Sequence, residues 1–228
     1  MMDHSLDRFK ALLTTGITAQ LDAVSRWHEQ EPNADEFSGE GLLPLVLQEH
    51  WINFQLWHVE DEARRTDVGP EVIARCKRSI DGHNQKRNDT IEAMDRMLLQ
   101  LIEPLLPPDA PFRYNTETMG MALDRLSIIA LKIFHMREQT QREDVSPLHL
   151  ETCKGKLAVL KEQHHDLTGA LLDLATEYAE GHKRPKLYCQ FKMYNDPELN
   201  PQLYHPGASA KARAGQAAGG RQPKEDED

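Results

Sequence analysis

Hydrophobic residues recur every three or four positions along most of the chain, which is the spacing of one face of an α-helix. Stretches rich in Pro, Gly, Asn and acidic residues separate the segments that carry this pattern. The pattern predicts an all-α fold, a helical bundle of about five helices. The predicted helices are 4–28, 42–65, 71–103 and 119–143, with a fifth from the turn at 144–147 to about residue 180.

The chain also matches itself, without a gap, when it is shifted so that His58 aligns with His135. We call this shift the repeat offset. It also aligns Asp61 with Glu138, Pro70 with Pro147 and Cys76 with Cys153. The match predicts two pseudo-repeated helical hairpins, 42–103 and 118–180. Four prolines keep the linker between them, 103–118, from being helical.

Two segments near the C-terminus lack the helical pattern. Residues 188–206 are aromatic-rich and broken by prolines, so we expect an irregular strap across the bundle. Residues 207–228 are polar and of low complexity, which predicts a disordered tail. We therefore expect a single domain over residues 1–206.

The third helix departs from an apolar stripe at its centre, where Asn84 and Arg87 take the place of Leu or Ile. An unpaired buried guanidinium costs several kcal/mol or more, so Arg87 must meet a buried acid or a polar cavity. His164 lies at the equivalent place in the fifth helix, which predicts a polar layer contributed by both hairpins.

Two interpretations of this layer are open. It is either a hydrogen-bonded ion network that fixes helix register, with Glu49 at its edge, or a pocket in which Arg87 binds a phosphate or carboxylate. For a pocket, the candidate ligand-binding residues are Asn53, Trp57, Asn84, Arg87, Asn88, Asp124, His164 and Lys192.

Acid–base and metal chemistry are further possibilities. Glu60 and His135 are the catalytic candidates if the site catalyses a reaction, and His135 shares a helix sector with Asp124, Ser127 and Glu138. We assign no metal or cofactor, because the carboxylate–histidine order is the reverse of that in di-metal bundles. If a metal binds, the ligands would be His58, Asp61, His135 and Glu138.

Composition excludes several classes of function. The formal net charge of −10 and the lack of a basic stripe argue against nucleic-acid binding. Three cysteines show no metal-site spacing, and no apolar run reaches the length of a membrane span. The N-terminal residues are too polar for a signal peptide, so we expect a cytoplasmic protein.

Four separated motifs resemble a known family. The motifs "NFQLWHVEDEARR", "CKRSIDGHNQKRNDTIEAMD", "ETMGMALDRLSIIALKIFHMRE" and "YCQFKMYNDPELNP" are similar to the bacterial family catalogued as domain of unknown function 4254, over roughly residues 40–205. The resemblance implies no activity. It implies an association with surface-polysaccharide and glycosyltransferase genes, and makes Asn53, Trp57, Arg87, Asp124, Lys132, His135 and Lys192 motif positions.

The expected function is therefore binding of an anionic small molecule, a nucleotide-sugar or sugar-phosphate, in surface-polysaccharide biosynthesis. One alternative is a metal-dependent hydrolase of the all-helical type. Another is a non-catalytic adaptor that binds a glycosyltransferase, and a homo-oligomeric partner is also possible.

Overall fold

A computed structural model of the chain describes residues 2–111, 113–190, 196 and 198–201. Within them the chain is helical and contains no strand, which confirms the all-α bundle. Its helices are α1 (Met2–Glu29), α2 (Leu42–Ala63), α3 (Pro70–Ile102), α4 (Met119–Thr140) and α5 (Pro147–Ala179), with 3-10 turns at Ala34–Phe37 and Glu103–Leu105. The second 3-10 turn lies in the proline linker predicted to be non-helical. None of the described helices combines the length and apolarity needed to cross a bilayer.

Local sequence explains where the hairpin helices begin. Pro70 and Pro147 occupy the first turns of α3 and α5, where the missing N–H costs no hydrogen bond. The Thr118 and Ser146 side chains cap α4 and α5 by accepting hydrogen bonds from backbone N–H groups.

The bounds of the four hairpin helices follow the repeat offset. Applied to both ends of α2, the offset gives both ends of α4, and applied to α3 it gives both ends of α5. The turns also correspond, because Arg65 pairs with Asp67 and Arg142 pairs with Asp144. These correspondences agree with an internal duplication, which stays a prediction.

The two long helices, α3 and α5, contribute to the main core mainly through their second halves. α3 packs on α2, α5 packs on α4, and α1 contacts α2, α4 and α5. The main core contains the second halves of α3 and α5, including Met94, Leu98, Leu171 and Tyr178. In the first half of α5, Cys153 is buried while most of its neighbours are exposed. Since α3 and α5 make few contacts with each other, a groove is left between the hairpins.

The chain divides into two compact units, Met1–Cys189 and Gln190–Asp228. Of the second unit the structure describes only residues 190, 196 and 198–201. The predicted disordered tail, 207–228, lies outside the described residues, as does most of the predicted strap.

Candidate functional site

A buried polar network joins α2, α3 and α4 at the centre of the bundle. Arg87 donates two hydrogen bonds to Asp124, from Nε to Oδ1 at 2.5 Å and from Nη2 to Oδ2 at 2.6 Å. Asn53 donates from Nδ2 to Asp124 at 3.1 Å, to Ser127 at 2.9 Å and to the buried Glu49. The polar break at Arg87 is thus resolved by an ion pair whose acid comes from the other hairpin.

The two acids of this network have opposite pKa shifts. Complete burial, followed by the charge of Asp124, raises the pKa of Glu49 well above its usual value of 4.5. Burial also acts to raise the pKa of Asp124, but hydrogen bonds from Arg87 and Glu49 and the Arg87 charge outweigh burial and lower it. Although burial is the largest single effect on Arg87, its hydrogen bond to Asp124 and the nearby acid charges together raise its pKa. The two opposite shifts favour a proton on Glu49 and a negative charge on Asp124.

His50 and Ser127 extend the network but are not suited to nucleophilic chemistry. His50 Nδ1 lies 2.8 Å from Ser127 Oγ, and both residues are fully buried. Burial lowers the pKa of His50 to about 3, so its imidazole is neutral at physiological pH. With no solvent access to the Ser127 hydroxyl, this pair serves packing and hydrogen bonding.

The groove between the hairpins consists of three adjoining pockets, and we call it the interhairpin groove. Their volumes are about 870, 850 and 300 Å³. Neighbouring pockets share lining residues, namely Arg87 and Ile128, Lys132 and Gln163, and Trp57 and Asp61. The groove is therefore continuous, with α2 and α4 between α3 on one side and α5 on the other.

The pocket of about 850 Å³ combines an aromatic surface with unpaired cations. The Trp57 and His135 rings stack at 4.6 Å with an interplanar angle of 10°. Lys132 and Lys156 line the same pocket, and neither has an ion-pair partner within the described part of the chain. By contrast, Arg64 pairs with Glu60 at 2.7 Å.

The groove brings together most of the residues predicted from the sequence. Its lining includes Asn53, Trp57, Glu60, Asn84, Arg87, Asp124 and His135. Asn88 is buried in α3, and half-buried His164 lies on α5, but neither lines any of the three pockets. Lys192 lies outside the described residues.

The possible metal ligands are arranged differently from the predicted set. His58 and His135 come together with His28, and one ring nitrogen of each lies within 4.8 Å of the other two. Glu138 accepts a hydrogen bond from Nδ1 of His135 at 2.7 Å, while Asp61 lines the groove and lies outside the cluster. Burial, the largest effect, and the neighbouring His135 and His58 lower the pKa of His28.

Sequence reasoning missed His28 and His50. His28 follows Trp27 at the end of an amphipathic helix, and the repeat offset gives it no histidine counterpart. His50 lies in a helix with apolar residues on two sides, so helical periodicity does not tell which polar residues are buried. One signal could have pointed to His50: it follows Glu49, and both polar residues lie within the apolar part of α2, where a buried polar pair is expected to take part in hydrogen bonding.

Of three comparisons with known proteins, the one with protein families gives a match. No curated protein and no solved structure matches the chain. The family described as "Protein of unknown function (DUF4254)" matches residues 43–187, more than half of the chain, and this segment contains α3, α4, α5 and nearly all of α2. The chain therefore belongs to the DUF4254 family.

Proposed function

We propose that the interhairpin groove binds a small molecule with an anionic group and a planar or apolar portion, such as a nucleotide-sugar or a sugar-phosphate. The observation that carries the proposal is the pocket in which unpaired Lys132 and Lys156 accompany the Trp57–His135 stack. Lysine ammonium groups bind phosphate oxygens as point charges, and an aromatic stack offers a surface to a base or sugar ring.

Arg87 has a different role in this proposal from the one that the sequence favours. The Nε–Nη2 edge of its guanidinium is hydrogen-bonded to Asp124, so that edge is closed to a ligand and the Arg87 charge is already balanced by a carboxylate while the pair is intact. We therefore assign the anion to Lys132 and Lys156. Arg87 and Asp124 form part of the groove wall, together with Asn84 and Asn53.

The biological setting rests on the family resemblance and, for the location, on the polar N-terminal sequence. A role in bacterial surface-polysaccharide biosynthesis, a cytoplasmic location and a glycosyltransferase partner all stay predictions. The groove supports the class of ligand, because its two lysines are unpaired although the chain as a whole has a net charge of −10.

The experiment measures binding of UDP-glucose, glucose 1-phosphate and inorganic phosphate by isothermal titration calorimetry. We expect at least one organic phosphate to bind more tightly than inorganic phosphate, because it also contacts the aromatic surface. In a variant with Lys132→Gln and Lys156→Gln, affinity should fall by about tenfold or more, since a hydrogen bond to a charged group is worth ~1.5–3 kcal/mol.

The matched control carries Lys154→Gln and Lys161→Gln, which removes two exposed lysines of α5 that do not line the groove. Its affinity should equal that of the unmodified protein. Equal losses in both double variants would show a nonspecific charge effect, and absence of binding by every probe would contradict the proposed ligand class.

A further inference from the structure

Three histidines from three helices meet beside the interhairpin groove. His28 is at the end of α1, His58 is in the last turns of α2 and His135 is in α4. Their ring centroids are 5.2 Å apart for His28 and His58, 4.9 Å for His28 and His135, and 5.9 Å for His58 and His135. Residues this far apart in sequence converge only through the tertiary fold.

Each imidazole is oriented by a hydrogen bond at Nδ1. The acceptors are the Val24 carbonyl for His28 at 2.7 Å, the Phe54 carbonyl for His58 at 2.8 Å and the Glu138 carboxylate for His135 at 2.7 Å. A carbonyl oxygen can only accept, so Nδ1 of His28 and of His58 carries a proton. In the neutral imidazole this leaves a lone pair on Nε2. Metal-binding histidines are commonly oriented in this way, by an acceptor that holds the N–H of the other ring nitrogen.

Two of the remaining ring nitrogens lack partners. Nε2 of His28 and Nε2 of His135 are buried and accept no hydrogen bond within the described residues. A buried acceptor without a partner is destabilising unless something else satisfies it. The hydrophobic rings of Phe134, stacked on His28 at 4.1 Å, and Phe54, at 4.8 Å, enclose the cluster on other sides.

We propose that His28, His58 and His135 bind a divalent transition metal through their Nε2 atoms, with Zn²⁺ the best-matched ion. Three ring nitrogens within 4.8 Å of one another lie within about 2.8 Å of a common point, and a Zn–N bond is about 2.1 Å. Each nitrogen therefore needs to move inward by less than about 1 Å.

Imidazole nitrogens are intermediate between hard and soft ligands, so three of them suit Zn²⁺, Co²⁺, Ni²⁺ and Cu²⁺ better than the hard ions Mg²⁺ or Ca²⁺. Three protein ligands leave a fourth position for water, as in catalytic zinc sites. His135 also lines the groove, so the metal would lie next to the ligand site of the proposed function. The metal site itself does not depend on that function.

The test uses the full chain, stripped of metal with a chelator and titrated with Co²⁺ and then Zn²⁺. We expect one Co²⁺ per chain with the intense visible absorption of four-coordinate cobalt, and its displacement by Zn²⁺. His58→Ala is the primary variant because His58 is the exposed member of the cluster and its loss should not disturb the core. Its affinity for Zn²⁺ should be at least about tenfold weaker, and His28→Gln should weaken binding similarly.

Two controls separate binding at this cluster from binding elsewhere on the chain. His165→Ala, which removes an exposed imidazole of α5 outside the cluster, should leave Zn²⁺ affinity unchanged. The double variant with Lys132→Gln and Lys156→Gln should also bind Zn²⁺ normally, so failure of the proposed function and failure of the metal site are distinguishable. Lack of stoichiometric metal in the unmodified protein, or equal affinity in folded His58→Ala, would overturn the proposal.

Discussion

At the scale of single residues, Glu49 and Asp124 show how one buried network sets two protonation states. Asp124 keeps its charge because the Arg87 guanidinium faces both carboxylate oxygens. Glu49 is fully buried beside that charge, and it accepts a hydrogen bond from the neutral amide of Asn53. Two neighbouring carboxylates sharing one cation favour a proton on the less compensated acid.

We predict that Glu49→Gln stabilises the protein at neutral and alkaline pH. The folded pKa of Glu49 is raised above 4.5, so from about pH 4.5 up to that folded value the native state binds one more proton than the unfolded state. Stability therefore falls as pH rises through this range, by up to ~1.4 kcal/mol per pH unit. Glutamine keeps the shape of the protonated acid and removes this dependence.

Urea unfolding at pH 5, 6.5 and 8 tests the prediction, and the gain of Glu49→Gln over the unmodified protein should grow with pH. Glu62→Gln, at an exposed acid of the same helix, provides the comparison, and its effect should not change with pH in the same way. A gain for Glu49→Gln that is constant or shrinks from pH 5 to 8 would mean that Glu49 is ionised in the native state.

At the scale of helices, the start of α4 depends on a close contact with α3. The backbone N–H of Gly120 donates to Asp95 Oδ1 at 2.7 Å, and Thr118 caps the same turn. A Cβ at position 120 would lie 2.6 Å from Asp95 Oδ1 and 3.0 Å from the Ile91 carbonyl oxygen. Glycine is therefore required here by space.

We predict that Gly120→Ala destabilises the protein by about 2 kcal/mol, because the backbone of α3 or α4 must shift to admit the methyl group. Gly169→Ala provides the opposite case, since a Cβ at this exposed α5 position meets no atom within 4 Å. Its higher helix propensity should stabilise by up to ~1 kcal/mol. Thermal and urea unfolding measure both, and an equal gain for the two variants would refute the steric argument.

The positions of the helices could be predicted from the sequence, whereas the contacts between helices could be predicted only in part. Periodicity and proline positions predict α3 to α5 to within a few residues, because these signals are local. The two polar positions in the α3 stripe also predict that Arg87 meets an acid or a cavity. That the acid is Asp124, and that the pKa of Glu49 is raised beside it, depends on how α2, α3 and α4 pack, which local periodicity does not encode.

At the scale of the whole molecule, the groove exists because α3 and α5 extend beyond the shared core on separate hairpins.

We predict that Gln163→Trp blocks ligand binding, since Gln163 borders two of the three pockets. Affinity for UDP-glucose should fall by about tenfold or more, while the melting temperature stays unchanged because the residue is exposed. The comparison is Glu162→Trp, at an exposed neighbour that does not line the groove. Undiminished binding by Gln163→Trp would place the ligand elsewhere.

A pocket was one of the two interpretations that the polar stripe left open, whereas nothing in the sequence analysis pointed to a cluster of three histidines. His58 and His135 are related by the repeat offset, and this is why the sequence analysis names both as ligands if a metal binds. His28 belongs to α1, which precedes the first predicted hairpin and has no counterpart under that offset. Its place beside the other two follows from how α1 packs against α2 and α4.

The position of α1 has a consequence for other members of the family. The segment that matches the family starts at residue 43, so two of the three imidazoles lie inside it and His28 lies before it. Under the metal-site proposal, a relative that shares the matched segment but has a different leading helix would have only two of the three ligands and would bind Zn²⁺ more weakly. Zinc affinity would then depend on a helix that lies outside the matched segment.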